Sequence, residues 1–152
     1  MRPQIGRTLI HANGAILNQF DPKAGPITEN AIRILIDRFY DKVRADPELG
    51  PIFARAIPGD WEPHLATMRN FWSSVMLTTG RYKGNPVAKH LAVPGIEPHL
   101  FERWLKLFGE TCSEQFDESI AQAFRVKAVR IAESLKLALF YRPDRPWPSS
   151  AP

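Results

Sequence analysis

Few side chains in this sequence can do chemistry. The histidines are His11, His64, His90 and His99, and Cys112 is the single cysteine. His90 falls in Pro86-Val87-Ala88-Lys89-His90-Leu91, one or two helical turns bracketed by Gly84 and Pro94. So short an element has few apolar contacts, and an imidazole–metal bond would give it a reason to stay docked. A hydrogen bond from the ring to a carbonyl would also serve, and periodicity alone favours that role. His64 shares an apolar stripe with Trp61, Leu65, Met68, Trp72, Val75 and Met76, and can be read as a satisfied core histidine. Tyr40 and Trp104 are polar-tipped aromatics on two further stripes, each ordinarily a core residue whose hydroxyl or indole N–H finds a partner. With His64 they place three polar tips on the inner faces of three helices.

No carboxylate accompanies them. Asp37, Asp41, Glu62 and Glu102 fall on outer faces, which argues against paired-carboxylate hydrolysis and a His-His-acid zinc site. His11 lies in a loose leading segment and His99 opens a helix beside Pro98, where a solvated role is the default. Cys112 sits on a helix stripe and reads as an inert buried thiol. Phosphate-loop, dinucleotide and nucleophile-elbow glycine patterns are missing from the sequence.

Helices must hold these residues. Seven prolines in 27–141 leave three proline-free windows, 27–46, 64–85 and 99–142, and proline breaks helix interiors. In the first, Thr28 is an N-cap, Ile27 and Ile32 can form a staple, and Ile32, Leu35, Ile36, Phe39, Tyr40 and Val43 make one face. The second helix is expected to start at Asp60 and end near Gly80. The third window holds two helices. One stripe is Leu100, Phe101, Trp104, Leu107, Phe108 and Cys112; the other, capped by Asp117, is Ile120, Phe124, Val126 or the Lys127 stem, Ala128, Ile131, Leu135, Ala138 and Leu139. No alternating pattern suggests strands, so the fold class is all-α.

The chain has 152 residues and a formal charge of +4. The segments 1–26 and 142–152 carry about +2 and +1, which leaves the body 27–141 near +1. So neutral a body lacks the footprint of a nucleic-acid binder. The apolar stretches are too short to span a bilayer, and no secretory h-region is present. One cysteine allows no internal disulfide, and a cytoplasmic location is expected. The reading is one domain over 27–141, a loosely ordered extension 1–26 and a proline-rich tail 142–152.

Several stretches together resemble the truncated haemoglobins of group III. They are Phe39-Tyr40-Asp41-Lys42-Val43, Leu49-Gly50-Pro51-Ile52-Phe53, His64 with Asn70-Phe71-Trp72, Lys89-His90-Leu91, and Phe101-Glu102-Arg103-Trp104-Leu105-Lys106-Leu107-Phe108. The resemblance runs in order over 27–141, and the lack of a Gly-Gly pair agrees with that group. It implies a globin-like, two-over-two helical sandwich around haem b (iron protoporphyrin IX), with His90 as the proximal iron ligand. Tyr40, His64 and Trp104 then match the distal, ligand-facing residues. Phe53 matches the phenylalanine on the porphyrin, and Met68 and Trp72 match distal-helix positions facing or backing it. Arg55, Arg81, Tyr82, Lys83 and Lys89 lie in the right regions to meet the propionates. The implied function is reversible binding of O2, CO and NO. The alternative is a haem enzyme for peroxide reduction or NO detoxification, served by an unidentified reductase. A cofactor-free helical interaction module is the reading from outside the haem proteins; it would make His64 and His90 structural.

Overall fold

The computed structural model describes residues 26–141, 143 and 144; the expectations for 1–25, Arg142 and 145–152 lie outside the described residues. Six helices make up the ordered elements among them: α1 (Glu29–Ala45), α2 (Leu49–Ala56), α3 (Glu62–Leu77), α4 (Pro86–Leu91), α5 (Pro98–Gln115) and α6 (Glu118–Phe140). None is long and apolar enough to cross a membrane.

Helix α1 forms as the sequence predicts. The Thr28 hydroxyl oxygen accepts the Ala31 N–H at 3.0 Å, and the buried face is Ile32, Leu35, Ile36, Phe39, Tyr40 and Val43. Asp46 ends the helix ahead of Pro47, which disfavours a helical conformation in the residue before it.

Helix α2 has no counterpart in the sequence reading, where Gly50 and Pro51 obscured it. Its first N–H groups need no intrahelical partner, so Pro51 in the first turn breaks nothing. The Asp46 carboxylate accepts the N–H groups of Glu48 and Leu49 at 3.0 and 2.9 Å. Gly50 is required because a Cβ there would sit 2.8 Å from the Arg44 carbonyl oxygen. Asp46 also binds Arg103 of α5, with Nε 2.8 Å from both carboxylate oxygens. That pairing, with burial opposing it, holds the carboxyl at about 2. Its stabilisation is therefore complete above the ordinary value of 3.8 and lost as the pH falls toward 2. Asp46→Ala leaves α2 uncapped and Arg103 without its main partner, and is expected to cost about 2–3 kcal/mol in urea unfolding at pH 7. A loss below about 0.5 kcal/mol would show that the corner is not held this way.

Helix α3 differs from expectation at both ends. It begins at Glu62 with Trp61 as N-cap residue, and the Asp60 carboxylate stays outside to accept the Glu62 N–H at 3.0 Å. It stops at Leu77, three residues before Gly80, because Thr78 takes a left-handed conformation with φ 53°. The loop beyond folds back on the helix: the Ser74 hydroxyl oxygen accepts the Tyr82 N–H at 2.8 Å. Helix α4 coincides with the short segment expected there, with Asn85 Oδ1 accepting the Ala88 N–H. In α6 the Asp117 cap is present, but Val126 and Ala138 point outward. The inward row is Ala121, Phe124, Ala128, Ala132, Leu135 and Leu139, whose spacing of three and four leaves Val126 on the far side.

Helices α1 and α3 pack as one layer over the α5–α6 hairpin. Phe108 lies between the layers, with its ring against Phe39, Trp72, Trp104 and Phe124 at centroid distances of 5.1, 4.8, 5.3 and 6.4 Å. A smaller cluster of Phe101, Ala132, Leu135 and Leu139 supports Val87 of α4. Helix α4 rests on α6 and makes no comparable packing with α3.

Candidate functional site

Tyr40, Phe53 and His64 come together from α1, α2 and α3. The Tyr40 ring meets His64 edge-on at 5.0 Å and Phe53 at 5.8 Å, and Phe53 lies 6.3 Å from His64. Tyr40 is almost fully buried, which pushes its phenol well above the ordinary range, although Trp104 donates a hydrogen bond toward it. The phenol is therefore neutral at any physiological pH, and its own proton is available for donation. Trp104 is fixed by its ring stack on Phe108, nearly coplanar at 4°.

His64 is half-buried, and its Nε2 is cut off from solvent with no hydrogen-bond partner. Such an orphaned polar atom is costly unless something else occupies the space beside it. Burial first, and the nearby His90 second, lower the imidazole to about 4. A neutral folded-state histidine gives stability that is full above the ordinary value of 6.5 and lost as the pH falls to about 4. In the haem-free chain this term is expected to remove up to about 3 kcal/mol between pH 7 and 4. His64→Gln should flatten that part of the urea-unfolding profile; an unchanged profile would place the proton elsewhere.

His90, on α4, is close enough to His64 to act on it, but its own ring contact is with Phe101. Its Nδ1 lies 2.6 Å from the Pro86 carbonyl oxygen, one helical turn back, which assigns the N–H to Nδ1 and leaves Nε2 with its lone pair. The ring is half-buried and tilted against Phe101 at 6.2 Å. No residue of α4 is fully buried. The carbonyl-bonded reading of the sequence is thus present in the geometry, and it engages Nδ1. Between α3 and the α4–α6 pair lies a largely apolar cavity of about 310 Å³, lined by Phe71, Pro86, Val87, Ile131 and Leu135.

The remaining expected residues are placed as follows. Met68 is partly buried against the main core. Trp72 is sealed in the core, stacked on Phe108, and so backs the site. Arg81 reaches Glu29 at 3.5 Å, Tyr82 packs edge-on against Phe71 at 5.1 Å, and Arg55, Lys83 and Lys89 are exposed. Cys112 is buried, its thiol pushed up to about 12 by desolvation, and is inert. His99 is exposed beside Glu48 and Glu97, as its first-turn position suggests. Among the described residues no three His, Cys, Asp or Glu side chains gather as a metal site. Trp61, visible in the sequence only as a neighbour of His64, also belongs to the cluster, with its ring 5.6 Å away.

The sequence pattern of the family described as bacterial-like globin matches residues 26–136. The group 3 truncated hemoglobin ctb of Campylobacter jejuni is 38% identical over 117 residues, which are 75% of this chain and 92% of that protein. The crystal structure of group III truncated hemoglobin from the same organism superposes with a TM-score of 0.74 at 37% identity, covering 78% of this chain and 95% of its own. The chain thus belongs to the bacterial-like globin family, among the group III truncated haemoglobins.

Proposed function

We propose that this globin holds haem b through His90 and binds O2, CO and NO reversibly between Tyr40, His64 and Trp104. One observation carries the reading: the His90 Nδ1–Pro86 contact leaves Nε2 as a directed donor, in a chain where His64 Nε2 is a buried atom with no protein partner. A single neutral imidazole and a largely apolar cavity beside its helix are a donor and surroundings that suit haem. When bound, the haem supplies an iron with one open coordination position. Residues 27–141 form the globin domain, flanked by 1–26 and 142–152, and the lone buried thiol supports a cytoplasmic location.

Within the pocket Tyr40 donates its hydroxyl proton to the ligand, and Trp104 donates its indole N–H to the Tyr40 oxygen or to the ligand itself. His64, neutral above pH 5, adds either a donor or an acceptor. Phe53 and Met68 cover the haem, and Trp72 fixes α3 from behind. Arg55, Lys83 and Lys89 are exposed cations at hand for the propionates. O2 association and dissociation rates of the reduced protein test this reading; rapid oxidation by air with no measurable reversible binding would contradict it.

The orphaned His64 Nε2 favours a second reading, reduction of peroxide or detoxification of NO with electrons from an unidentified reductase. With peroxide, His64 takes the proton of one O–H at Nε2 and returns it to the leaving oxygen, while Tyr40 orients the substrate. Mixing the ferric protein with peroxide separates the two: turnover that falls in His64→Ala supports the enzyme, and no spectral change supports the reversible binder.

A further inference from the structure

Trp61 borders two spaces. Its indole packs on Tyr40, Phe53 and His64, at centroid distances of 6.1, 6.2 and 5.6 Å. It also lines a half-open cavity of about 340 Å³, together with Arg44, Ala54 and Gly59. This cavity is distinct from the apolar space beside α4, with which it shares no lining residue. Arg44, in the last turn of α1, places its guanidinium carbon 4.6 Å from the centroid of the Trp61 ring. Arg44 has no ion pair among the described residues, so this stacking contact is what positions it. A cation–π contact at an exposed site is easily broken.

The setting of Trp61 allows it to move. It precedes the first turn of α3 and follows Pro58-Gly59-Asp60, all exposed, and a Cβ on Gly59 would meet nothing within 4 Å. The indole can turn outward without unwinding the helix. His64 lies deeper, ringed by Tyr40, Phe53 and Trp61, with Nε2 closed to solvent. A small molecule coming from the 340 Å³ cavity meets Trp61 before it meets His64 or Tyr40.

We propose that this cavity is the vestibule of the ligand pocket, and that the Trp61 indole, latched by Arg44, is the door through which diatomic ligands pass to Tyr40. The proposal rests on the haem reading above. Its test is CO recombination after flash photolysis of the ferrous haem protein, with the Soret band recorded on every chain. Trp61→Ala is expected to speed bimolecular association about tenfold, and Trp61→Phe to stay near the parent rate. Ala54→Phe, which fills the vestibule from its α2 wall, is expected to slow association about fivefold. If Trp61→Ala loses its haem, Ala54→Phe decides alone. Association rates within twofold of the parent for Ala54→Phe and Trp61→Ala, with His64→Ala alone faster, would overturn the proposal and give the passage to His64. A parent chain with no Soret band after haem addition would overturn the haem reading and the vestibule with it.

Discussion

Replacing His90 with glycine is expected to release the haem. The imidazole is the one side chain of α4 positioned to ligate, and the helix itself has no fully buried residue to hold it. Loss of a hydrogen-bond partner behind a metal ligand costs about 10–100-fold in affinity, and loss of the ligand itself costs more. Transfer of haem from His90→Gly to a scavenging globin should therefore be at least about 100-fold faster than from the parent chain. Added imidazole should restore the parent spectrum, because the cavity left by the side chain admits the free ring. That rescue separates loss of the ligand from general unfolding. A His90→Gly protein with the parent spectrum and the parent rate of haem loss would assign the iron bond to another residue.

The second large effect concerns the proposed ligand-facing donors. O2 gathers negative charge when it binds, and Tyr40 and Trp104 are the neutral donors proposed to face it. Tyr40→Phe keeps the ring that packs on Phe39 and His64 at 4.9 and 5.0 Å and removes only the hydroxyl. A buried hydrogen bond of about 1–2 kcal/mol corresponds to about 5–30-fold in O2 dissociation rate. Trp104→Phe should have a similar effect. Trp104 lies beside Tyr40 and acts on its hydroxyl, so the double variant should fall short of the product of the single effects. CO gathers much less charge, and its dissociation should change by less than about threefold. Equal changes for both gases would mean that the substitutions opened the pocket sterically and removed no specific donor.

Much of the scaffold was legible because each helix announces itself locally. Thr28, Asn85 and Asp117 cap α1, α4 and α6 from adjacent positions, and the stripe of α1 matches its buried residues one for one. The stretches that carry the resemblance put Tyr40, Phe53 and His64 in one cluster, with Trp104 beside Tyr40. Helix α2 was not legible, because its start depends on Asp46, whose carboxylate is held by Arg103 from 57 residues away. The end of α3 was misplaced for a related reason. A threonine adopts the left-handed turn usually left to glycine, and contacts from Tyr82 to Ser74 tie the loop back. The join of Arg44 to Trp61 depends on how α1 packs against α3, which no periodicity encodes. The pairing of His90 with Pro86 could have been seen in the i, i+4 spacing, but not which ring nitrogen makes it.

The central claim is that this chain holds one haem b on His90, and the absorption spectrum of the purified protein tests it most directly. The expected result is a Soret band that shifts on reduction and again on addition of CO, with one haem b per chain by its pyridine derivative. A folded, colourless protein that takes up no stoichiometric haem when haemin is added would contradict it.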